Sequence, residues 1–388
     1  MSSGLDDALR CAVAVARHAP SSHNSQPWAL AAVRSRPGRT RCRELVDRTS
    51  PARTASADRP AEPRHIVLAL DGARELTALD DHRVEMFVSC GAYLHLLLGA
   101  LRAGGWRASR IAWNEDGERG WLSAPGLPEE WLPLAVVELA PFDPGPPHEL
   151  DELGRLAERR ITNRAPYLER PLAPPLLESL AGPARPALPS PPAVGVQLVT
   201  DRARIASIGG FVARTAGIDF AHPAAWRETH RFIRWSRAEP IEDGFPIEQL
   251  FGPMSRLRKL LVRAALAPIT LLLFARLGYA GYLARQLGRL VGGAPALAAF
   301  SLPSERPAIS QQVAGGAEVM DFWLRATAAG VALHPVSVLL QHAAIRERFQ
   351  REHGLSGRVF FFARLGYPAA SFPPAPRRRD PWSAVAAL

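Results

Sequence analysis

Two hydrophobic patterns alternate along this chain. In some stretches apolar residues recur every three or four positions, as in helices that bury one face, and in others they form short continuous runs, as in buried strands. The first pattern predicts helices at Leu5–His18, Val84–Ala103, Glu149–Arg159, Arg202–Ala216, Ala224–Trp235, Ser255–Phe274 and Ile309–Ala329. The second predicts strands at His65–Asp71, Leu134–Leu139, Gly195–Thr200, Ala296–Leu302 and Arg358–Leu365. We therefore expect an α+β fold.

A Pro- and Gly-rich stretch interrupts these patterns at residues 140–150, APFDPGPPHEL, and is the best candidate for a linker. On its two sides, Gly91–Trp106 and Gly316–Val331 align without a gap. Each begins with Gly-Ala, continues through an apolar helix and reaches a Gly where a left-handed cap is expected. Any buried helix that precedes a strand has this form, so the alternative to a repeat stays open. If the match is a repeat, the chain contains two copies of one fold.

The composition narrows the classes of function. With 388 residues, 47% of them hydrophobic, the chain can bury a sizeable core. Three widely spaced cysteines form no disulfide framework and favour the cytoplasm, and the N-terminus lacks the pattern of a secretory signal. No zinc-ligand spacing and no Rossmann, Walker or GxSxG motif occurs, so no metal site is predicted. The net charge of +10 comes almost entirely from scattered arginines without interleaved aromatics, which argues against nucleic-acid binding.

The most apolar stretch runs from Leu260 to Ala284. Arg263, Pro268 and Arg276 interrupt it, and the charge-free part between the two arginines is shorter than the ~20 residues that a membrane span needs. We therefore expect an apolar insertion at about 255–292 that forms a hairpin or lid over a site. Peripheral contact with a membrane is the less favoured alternative.

Two polar clusters are candidates for ligand binding. APSSHNSQPW, residues 19–28, presents hydroxyls, amides and backbone N–H groups in a turn directly after the first helix, and helix capping alone would not require ten such positions. In ERRITNRAPY, residues 158–167, Arg160, Thr162 and Arg164 alternate, so an extended segment places them on one side. Two guanidiniums that flank a hydroxyl suit a phosphate, although a solvated basic turn has the same composition.

These motifs resemble those of FMN-dependent nitroreductases. PSSHNSQPW is similar to their PSSxNSQPW segment, and RRITNRAPY to the segment that grips the flavin phosphate. The nearest resemblance is to the Acg-type nitroreductase-like proteins of actinobacteria, in which one chain is a fused nitroreductase dimer. Further motifs of that group occur here in the same order: SCGA at 89–92, HPAAW at 222–226, DGFP at 243–246, RLGY at 364–367 and PRRR at 376–379.

The resemblance implies a nitroreductase-like fold of two fused halves, a pseudo-dimer with antiparallel-rich sheets flanked by helices. In dimeric relatives FMN lies at the subunit interface, between the Pro-Ser-Ser segment of one subunit and the Arg-rich segment of the other. Here residues 1–147 supply the first segment and residues 148–388 the second, and neither half has both. The implied state is a monomer that mimics a dimer and holds one FMN.

The same resemblance implies a set of flavin-binding residues. Ser337 and Val338 stand where the dimeric enzymes have an acidic residue followed by Gly near the flavin ring, so nitroreductase activity does not transfer directly. No general acid or base is assigned. The implied cofactor-binding residues are Pro20, Ser21, Ser22, Asn24, Arg160, Thr162, Asn163, Arg164, Ser337, Val338, Arg377 and Arg379.

Three functions remain open at this point. The first is an oxidoreductase that moves hydride through flavin N5 to or from a small organic substrate, with NAD(P)H as the candidate reductant. The second is an FMN-dependent dehydrogenase or oxidase of natural-product biosynthesis that acts on an alcohol or a ring. The third is a protein that sequesters FMN without turnover. The expected partner is a small apolar or aromatic molecule.

Overall fold

The computed structural model describes residues 3–49, 63–122, 126–144, 146–183, 188–189, 193–236, 242–370, 372 and 378–388. Within these ranges the strands are β1 Trp28–Ala32, β2 Arg64–Asp71, β3 Trp106–Trp113, β4 Trp131–Pro141, β5 Gly195–Val199, β6 Ile233–Arg234, β7 Phe245–Pro246, β8 Ala296–Leu302, β9 Ala332–Pro335, β10 Arg358–Gly366 and β11 Val385–Ala387. The helices are α1 Ser3–Ala16, α2 Arg36–Thr49, α3 His82–Ala103, α4 Pro147–Arg159, α5 Pro174–Ala181, α6 Arg202–Thr215, α7 Gly217–Phe220, α8 Pro223–Phe232, α9 Glu248–Phe251, α10 Arg256–Leu266, α11 Pro268–Arg276, α12 Tyr279–Gly292, α13 Ile309–Ala328 and α14 Ala343–His353. The prediction of an α+β fold is confirmed.

Two antiparallel sheets with the same strand order form the framework. The N-terminal sheet has the order β1-β2-β4-β3 and the C-terminal sheet has the order β5-β8-β10-β9. In each, a long apolar helix joins the second strand to the next: α3 follows β2, and α13 follows β8. The gapless sequence match therefore falls on counterpart elements. Strand β11 pairs parallel with β1 and ties the end of the chain to the N-terminal sheet.

Helices α3 and α13 cross at two glycines. A methyl group on Gly91 would lie 1.8 Å from the carbonyl oxygen of Val313, and one on Gly316 would lie 2.0 Å from that of Val88. Only glycine permits such a close approach of two backbones. Because 88 and 91 align with 313 and 316, the contact is reciprocal, as across a two-fold axis. The most apolar 18-residue window of α3 is 78% buried inside the protein. The length and hydrophobicity of α3 are therefore those of a core helix.

The differences between predicted and observed elements have local causes. The predicted helix Ser255–Phe274 is two helices, because Ala267 is extended (φ −56°, ψ 138°) and Pro268 starts α11. No prediction covers β1, whose sequence WALAA contains three alanines and has little β preference, although all five residues are buried. Its pairing with β2 and β11 places it in the sheet.

Among the described residues, the C-terminal half has helices α6 to α12 between β5 and β8, whereas the N-terminal half has α2 between β1 and β2. We call residues 255–292 the insertion. Helix α12 crosses α6 closely, since a methyl group on Gly288 would lie 2.6 Å from the carbonyl oxygen of Gly209. Helices α10 and α11 are held by a buried cluster in which the Trp226 indole N–H donates to the Leu266 carbonyl (3.0 Å). The inner faces of these helices are thus fixed.

Candidate functional site

A cleft lined by both halves of the chain brings together residues of the two polar clusters. It consists of two adjoining cavities of about 170 and 60 Å³. We call the larger one the chamber and the smaller one the basic pocket. The residues that line both are Pro20, Ser21, His23, Thr162 and Arg164. The two polar clusters of the sequence therefore meet at this cleft.

The first cluster forms a strained loop beside the cleft. His23, Asn24 and Gln26 have φ angles of 52°, 57° and 53°, in the left-handed region that costs on the order of 1–3 kcal/mol for residues other than Gly. Hydrogen bonds hold this conformation: the Gln26 N–H donates to Ser21 Oγ (2.9 Å), and the Asn24 amide donates to the Gly244 carbonyl (2.8 Å). The short polar side chains thus fix the loop that lines the cleft.

The second cluster runs beside β9. Thr162 bridges to Leu333 in parallel, and the Asn163 N–H donates to the Leu333 carbonyl (2.9 Å). From β10 the buried Arg364 supports the segment, because its guanidinium donates to the Ala165 carbonyl (2.8 Å). This segment stays extended, and the two arginines and the threonine predicted to lie on one side all line the basic pocket.

Three guanidiniums give the basic pocket its charge. Burial lowers the pKa of Arg160 to about 9 and those of Arg164 and Arg378 to about 10, so all three remain protonated at neutral pH. None of the residues that line this pocket in the described part of the chain is acidic. Arg160 is 3% exposed, and its Nε and Nη1 atoms have no hydrogen-bond partner among the described residues. Buried charge without a partner is costly, so the pocket suits an anionic group.

The chamber is apolar apart from a few polar groups. Burial raises the pKa of the Glu85 carboxyl, while the nearby His82 and hydrogen bonds from Ser22 and Gln341 oppose the shift. The Gln341 side-chain amide donates to Glu85 Oε1 (3.0 Å). The apolar lining residues are Val88, Ala92, Val319, Trp323, Leu340, Phe360, Phe361 and Phe362. Such walls suit a flat aromatic ring, and the Glu85 carboxyl lines the same chamber.

Most of the predicted cofactor-binding residues line this cleft. Asn163 and Val338 do not line it. The side-chain oxygen of Asn163 accepts a hydrogen bond from the Ala165 N–H (2.9 Å), and Val338 packs against a hydrophobic core cluster. Arg377 lies outside the described residues. The residues found at the cleft are Pro20, Ser21, Ser22, Asn24, Arg160, Thr162, Arg164 and Ser337.

The C-terminal arm presents Arg378 to the basic pocket, and not Arg379. Arg378 donates to Asn24 Oδ1 (2.7 Å), whereas Arg379 pairs with Asp71 (3.6 Å) and donates to the Trp28 carbonyl. Arg378, and not the predicted Arg379, thus lines the basic pocket, and a role of Arg379 at a cofactor stays a prediction. Residues 378–380 lie outside any helix or strand, so no periodicity in the sequence indicates which of the adjacent arginines points inward.

The apolar segment 255–292 contributes no described residue to the lining of either cavity, although Phe245 and Gln249, just before it, line the basic pocket. A lid over the site therefore stays a prediction. The Leu side chains that a lid would turn to a ligand, among them Leu260 and Leu261, are more than 60% exposed.

Comparison with known proteins shows which proteins this chain is similar to. Residues 5–138 match the Nitroreductase family. Over 378 residues the chain is 29% identical to the probable NAD(P)H nitroreductase PigM of Serratia sp. (strain ATCC 39006), and the match covers 96% of this chain and 92% of that protein. The prediction of an oxidoreductase enzyme is confirmed, and the similarity to a probable NAD(P)H nitroreductase extends along nearly the whole chain.

Solved nitroreductase structures are also similar to parts of the chain. The FMN-dependent nitroreductase NfnB of Mycobacterium smegmatis, solved in complex with NADPH, is 18% identical, with 58% of this chain and 94% of that chain covered and a TM-score of 0.32. A putative nitroreductase of Anabaena variabilis is 10% identical, with coverages of 79% and 69% and a TM-score of 0.40. These TM-scores are too low for a residue-by-residue comparison.

Proposed function

We propose that this chain, an oxidoreductase enzyme related to the nitroreductases, binds one FMN in the cleft and exchanges hydride with a small apolar or aromatic substrate. The observation that carries the proposal is a pocket of three buried guanidiniums, without an acidic residue in its described lining, that opens into an aromatic-walled chamber. When bound, FMN supplies the hydride-transfer chemistry, and the protein supplies binding, orientation and electrostatics.

The phosphate of FMN fits the basic pocket. A phosphate carries close to two negative charges and accepts charge-assisted hydrogen bonds from several donors at once. Arg160 has two buried nitrogens to donate, and Arg164 and Arg378 line the same pocket. The hydroxyls of Ser21 and Thr162 lie where the pocket meets the chamber. These five residues would hold the phosphate and the adjoining polar part of the cofactor.

The ring system of FMN fits the chamber. Its walls carry Trp323 and the consecutive Phe360, Phe361 and Phe362, which exclude water and offer flat apolar surface. Ser22 and Ser337 add hydroxyls at the same cavity. An apolar or aromatic substrate would share this chamber with the ring.

We further propose that Glu85 transfers a proton to or from the substrate. It lines the chamber, and its raised pKa brings its titration closer to neutral pH, where acid–base catalysis is most effective. In the reductive direction the acid form would protonate the product. In the alternative function, oxidation of an alcohol or a ring in biosynthesis, the carboxylate would take the proton from the substrate.

Glu85→Gln tests this role. The variant keeps the size of the side chain and every arginine of the basic pocket, so it should still bind FMN, but it should lose the limb of the pH–rate profile that reports a carboxyl group. Leu340→Met, on the same chamber wall, is the control for a small packing change. A pH–rate profile of Glu85→Gln identical to that of the wild type would exclude the role.

The order of the motifs supports a finer assignment. The Pro-Ser-Ser segment, the SCGA motif, the Arg-x-Thr-x-Arg segment and the C-terminal arm follow one another as in the Acg-type proteins, and the first and third of these meet at one cleft. We propose that the chain is a member of that fused-dimer group and works as a monomer.

Identification of the released flavin and anaerobic reduction test the function together. The purified protein should release FMN, and mixing with NADH or NADPH in a stopped-flow instrument should bleach its absorbance. Release of FAD, or no flavin uptake after reconstitution, would overturn the cofactor. Bound FMN that neither nucleotide reduces would overturn the reductive direction and favour the biosynthetic oxidase or dehydrogenase.

A further inference from the structure

Most of the exposed large apolar side chains lie on the outer faces of the insertion. Among the described residues eleven large hydrophobic side chains are exposed, and eight of them lie between residues 257 and 282. Exposed apolar side chains are common singly, but a contiguous set marks an interaction surface. The eight, with their exposed fractions, are Leu257 68%, Leu260 63%, Leu261 62%, Ile269 78%, Leu273 56%, Phe274 41%, Leu277 81% and Tyr282 48%.

These side chains lie on defined helix faces. Positions 257, 260 and 261 are spaced by three and four residues on α10, and positions 269, 273 and 277 are spaced by four along and just beyond α11, so each set projects from one side of its helix. The opposite sides are already packed, since Leu266 and Leu271 belong to the buried cluster around Trp226. The exposed faces are therefore additional to those that hold the insertion on the protein.

The charge of the insertion indicates what these faces bind. Residues 255–292 contain no Asp or Glu, and Arg256, Arg258 and Arg263 lie exposed beside the leucines of α10. A second copy of the chain would bring the same positive charge to the contact. An anionic lipid surface would attract it and also accept the apolar side chains. The seven basic residues of the segment are Arg256, Arg258, Lys259, Arg263, Arg276, Arg285 and Arg289.

We propose that the outer faces of α10 and α11 dock on an anionic phospholipid bilayer, with the leucines in the interface and the arginines at the headgroups. Helices of 11 and 9 residues are too short to span the ~20-residue hydrocarbon core, so they lie along the surface. The docking is peripheral and reversible, and it depends on charge. It takes up the alternative that the sequence favours less than a lid.

Vesicle flotation of the full-length, flavin-loaded protein tests the docking. The protein should float with vesicles of equimolar phosphatidylcholine and phosphatidylglycerol, float little with phosphatidylcholine alone, and be released by high salt. The triple variant Arg256→Gln, Arg258→Gln, Arg263→Gln should bind roughly a hundredfold more weakly, since each basic residue near an anionic surface contributes about fivefold. The variant Leu260→Gln, Leu261→Gln, Ile269→Gln should also lose binding.

Matched control variants show whether binding depends on the outer faces of α10 and α11 or on exposed charge and apolar surface anywhere on the protein. Arg36→Gln, Arg48→Gln and Arg159→Gln remove three exposed charges elsewhere, and Leu168→Gln with Ile218→Gln removes apolar groups that are 47% and 55% exposed outside the insertion. Both controls should float like the wild type, and the melting temperature and flavin content establish that every variant is folded.

Three results would overturn the proposal. They are no flotation with anionic vesicles, equal loss of binding in the control variants, and a concentration-dependent dimer that the leucine variant abolishes without any vesicle binding. The last result would assign the face to a second copy of the chain. None of these results depends on the identity of the flavin or of its substrate.

Discussion

At the scale of single residues, the site is defined by buried charge. Arg160 stacks over the Trp323 ring (4.5 Å) and donates weakly to the His18 carbonyl (3.4 Å), which leaves two of its nitrogens for a ligand. His18 and His23 do not add charge at neutral pH, because burial lowers the pKa of each to about 4. The positive field of the pocket is therefore carried by arginine alone and does not vary with pH in the physiological range.

Arg160→Ala should weaken FMN binding tenfold to more than a hundredfold, since a charge-assisted hydrogen bond contributes ~1.5–3 kcal/mol. Titration of the apo-protein with FMN, followed by quenching of flavin fluorescence, measures the change. Arg41→Ala, on the outer side of α2 and away from the cleft, is the control. If both variants bind FMN equally well, Arg160 does not contact the phosphate.

Glu85→Gln should change how stability depends on pH. Burial raises the pKa of Glu85 in the folded protein, with His82 and Asp219 as the charged groups that face it, whereas the unfolded chain keeps the ordinary value. The folded state binds the proton more tightly, so this contribution to stability is present below the unfolded pKa and is lost as the pH rises through the folded pKa.

The Gln side chain cannot ionise, so the melting temperature of Glu85→Gln should rise relative to that of the wild type as the pH increases above the ordinary carboxyl pKa. Glu129→Gln, at an exposed position, should follow the wild type across the same range. Parallel curves for wild type and Glu85→Gln would mean that the carboxyl is not destabilised by burial.

The residues of the site differ in how far the sequence predicts them. Arg160, Thr162 and Arg164 could be predicted, because alternation along an extended segment is a local property. Glu85 could not, since an acidic residue in the first turn of a helix is ordinary and its depth depends on how the two halves pack. Arg378 could not, because it lies outside any helix or strand.

At the scale of elements, periodicity predicts the central helices α3 and α13 and the strands β2, β4, β5, β8 and β10. It does not predict α2, α12, α14, the eight-residue β3 or the short strands. Strand β9 has four residues, and its place is set by pairing with β10. In the insertion, the sequence shows that one face of a helix is apolar, but it does not show whether that face contacts a ligand or solvent. This is why the sequence favours a lid.

The glycine crossing of α3 and α13 predicts a specific sensitivity. Gly316→Ala should lower the free energy of unfolding by ~2 kcal/mol or more, because the new methyl would overlap the Val88 carbonyl, which cannot move without shifting a central helix. Gly4→Ala, in a helix with open space around the site, should be neutral or slightly stabilising. Urea denaturation compares the two, and equal midpoints would show that the helices do not cross at these glycines.

At the scale of the whole molecule, the two halves share a strand order but not a function. The first half supplies the strained loop and Glu85, the second supplies the arginine segment and most of the aromatic wall, and the C-terminal arm returns to deliver Arg378. A symmetric dimer would have two equivalent clefts. Here the polar motifs occur once each, so one cleft carries the chemistry.

The flavin content of the monomer tests this account most directly. Native mass spectrometry of the reconstituted 42.2 kDa chain, with flavin and protein quantified separately after denaturation, gives the stoichiometry and the oligomeric state in one experiment. We predict a monomer that carries one FMN. Two FMN per chain, or FMN held only by a dimer, would contradict the single cleft formed by two unlike halves.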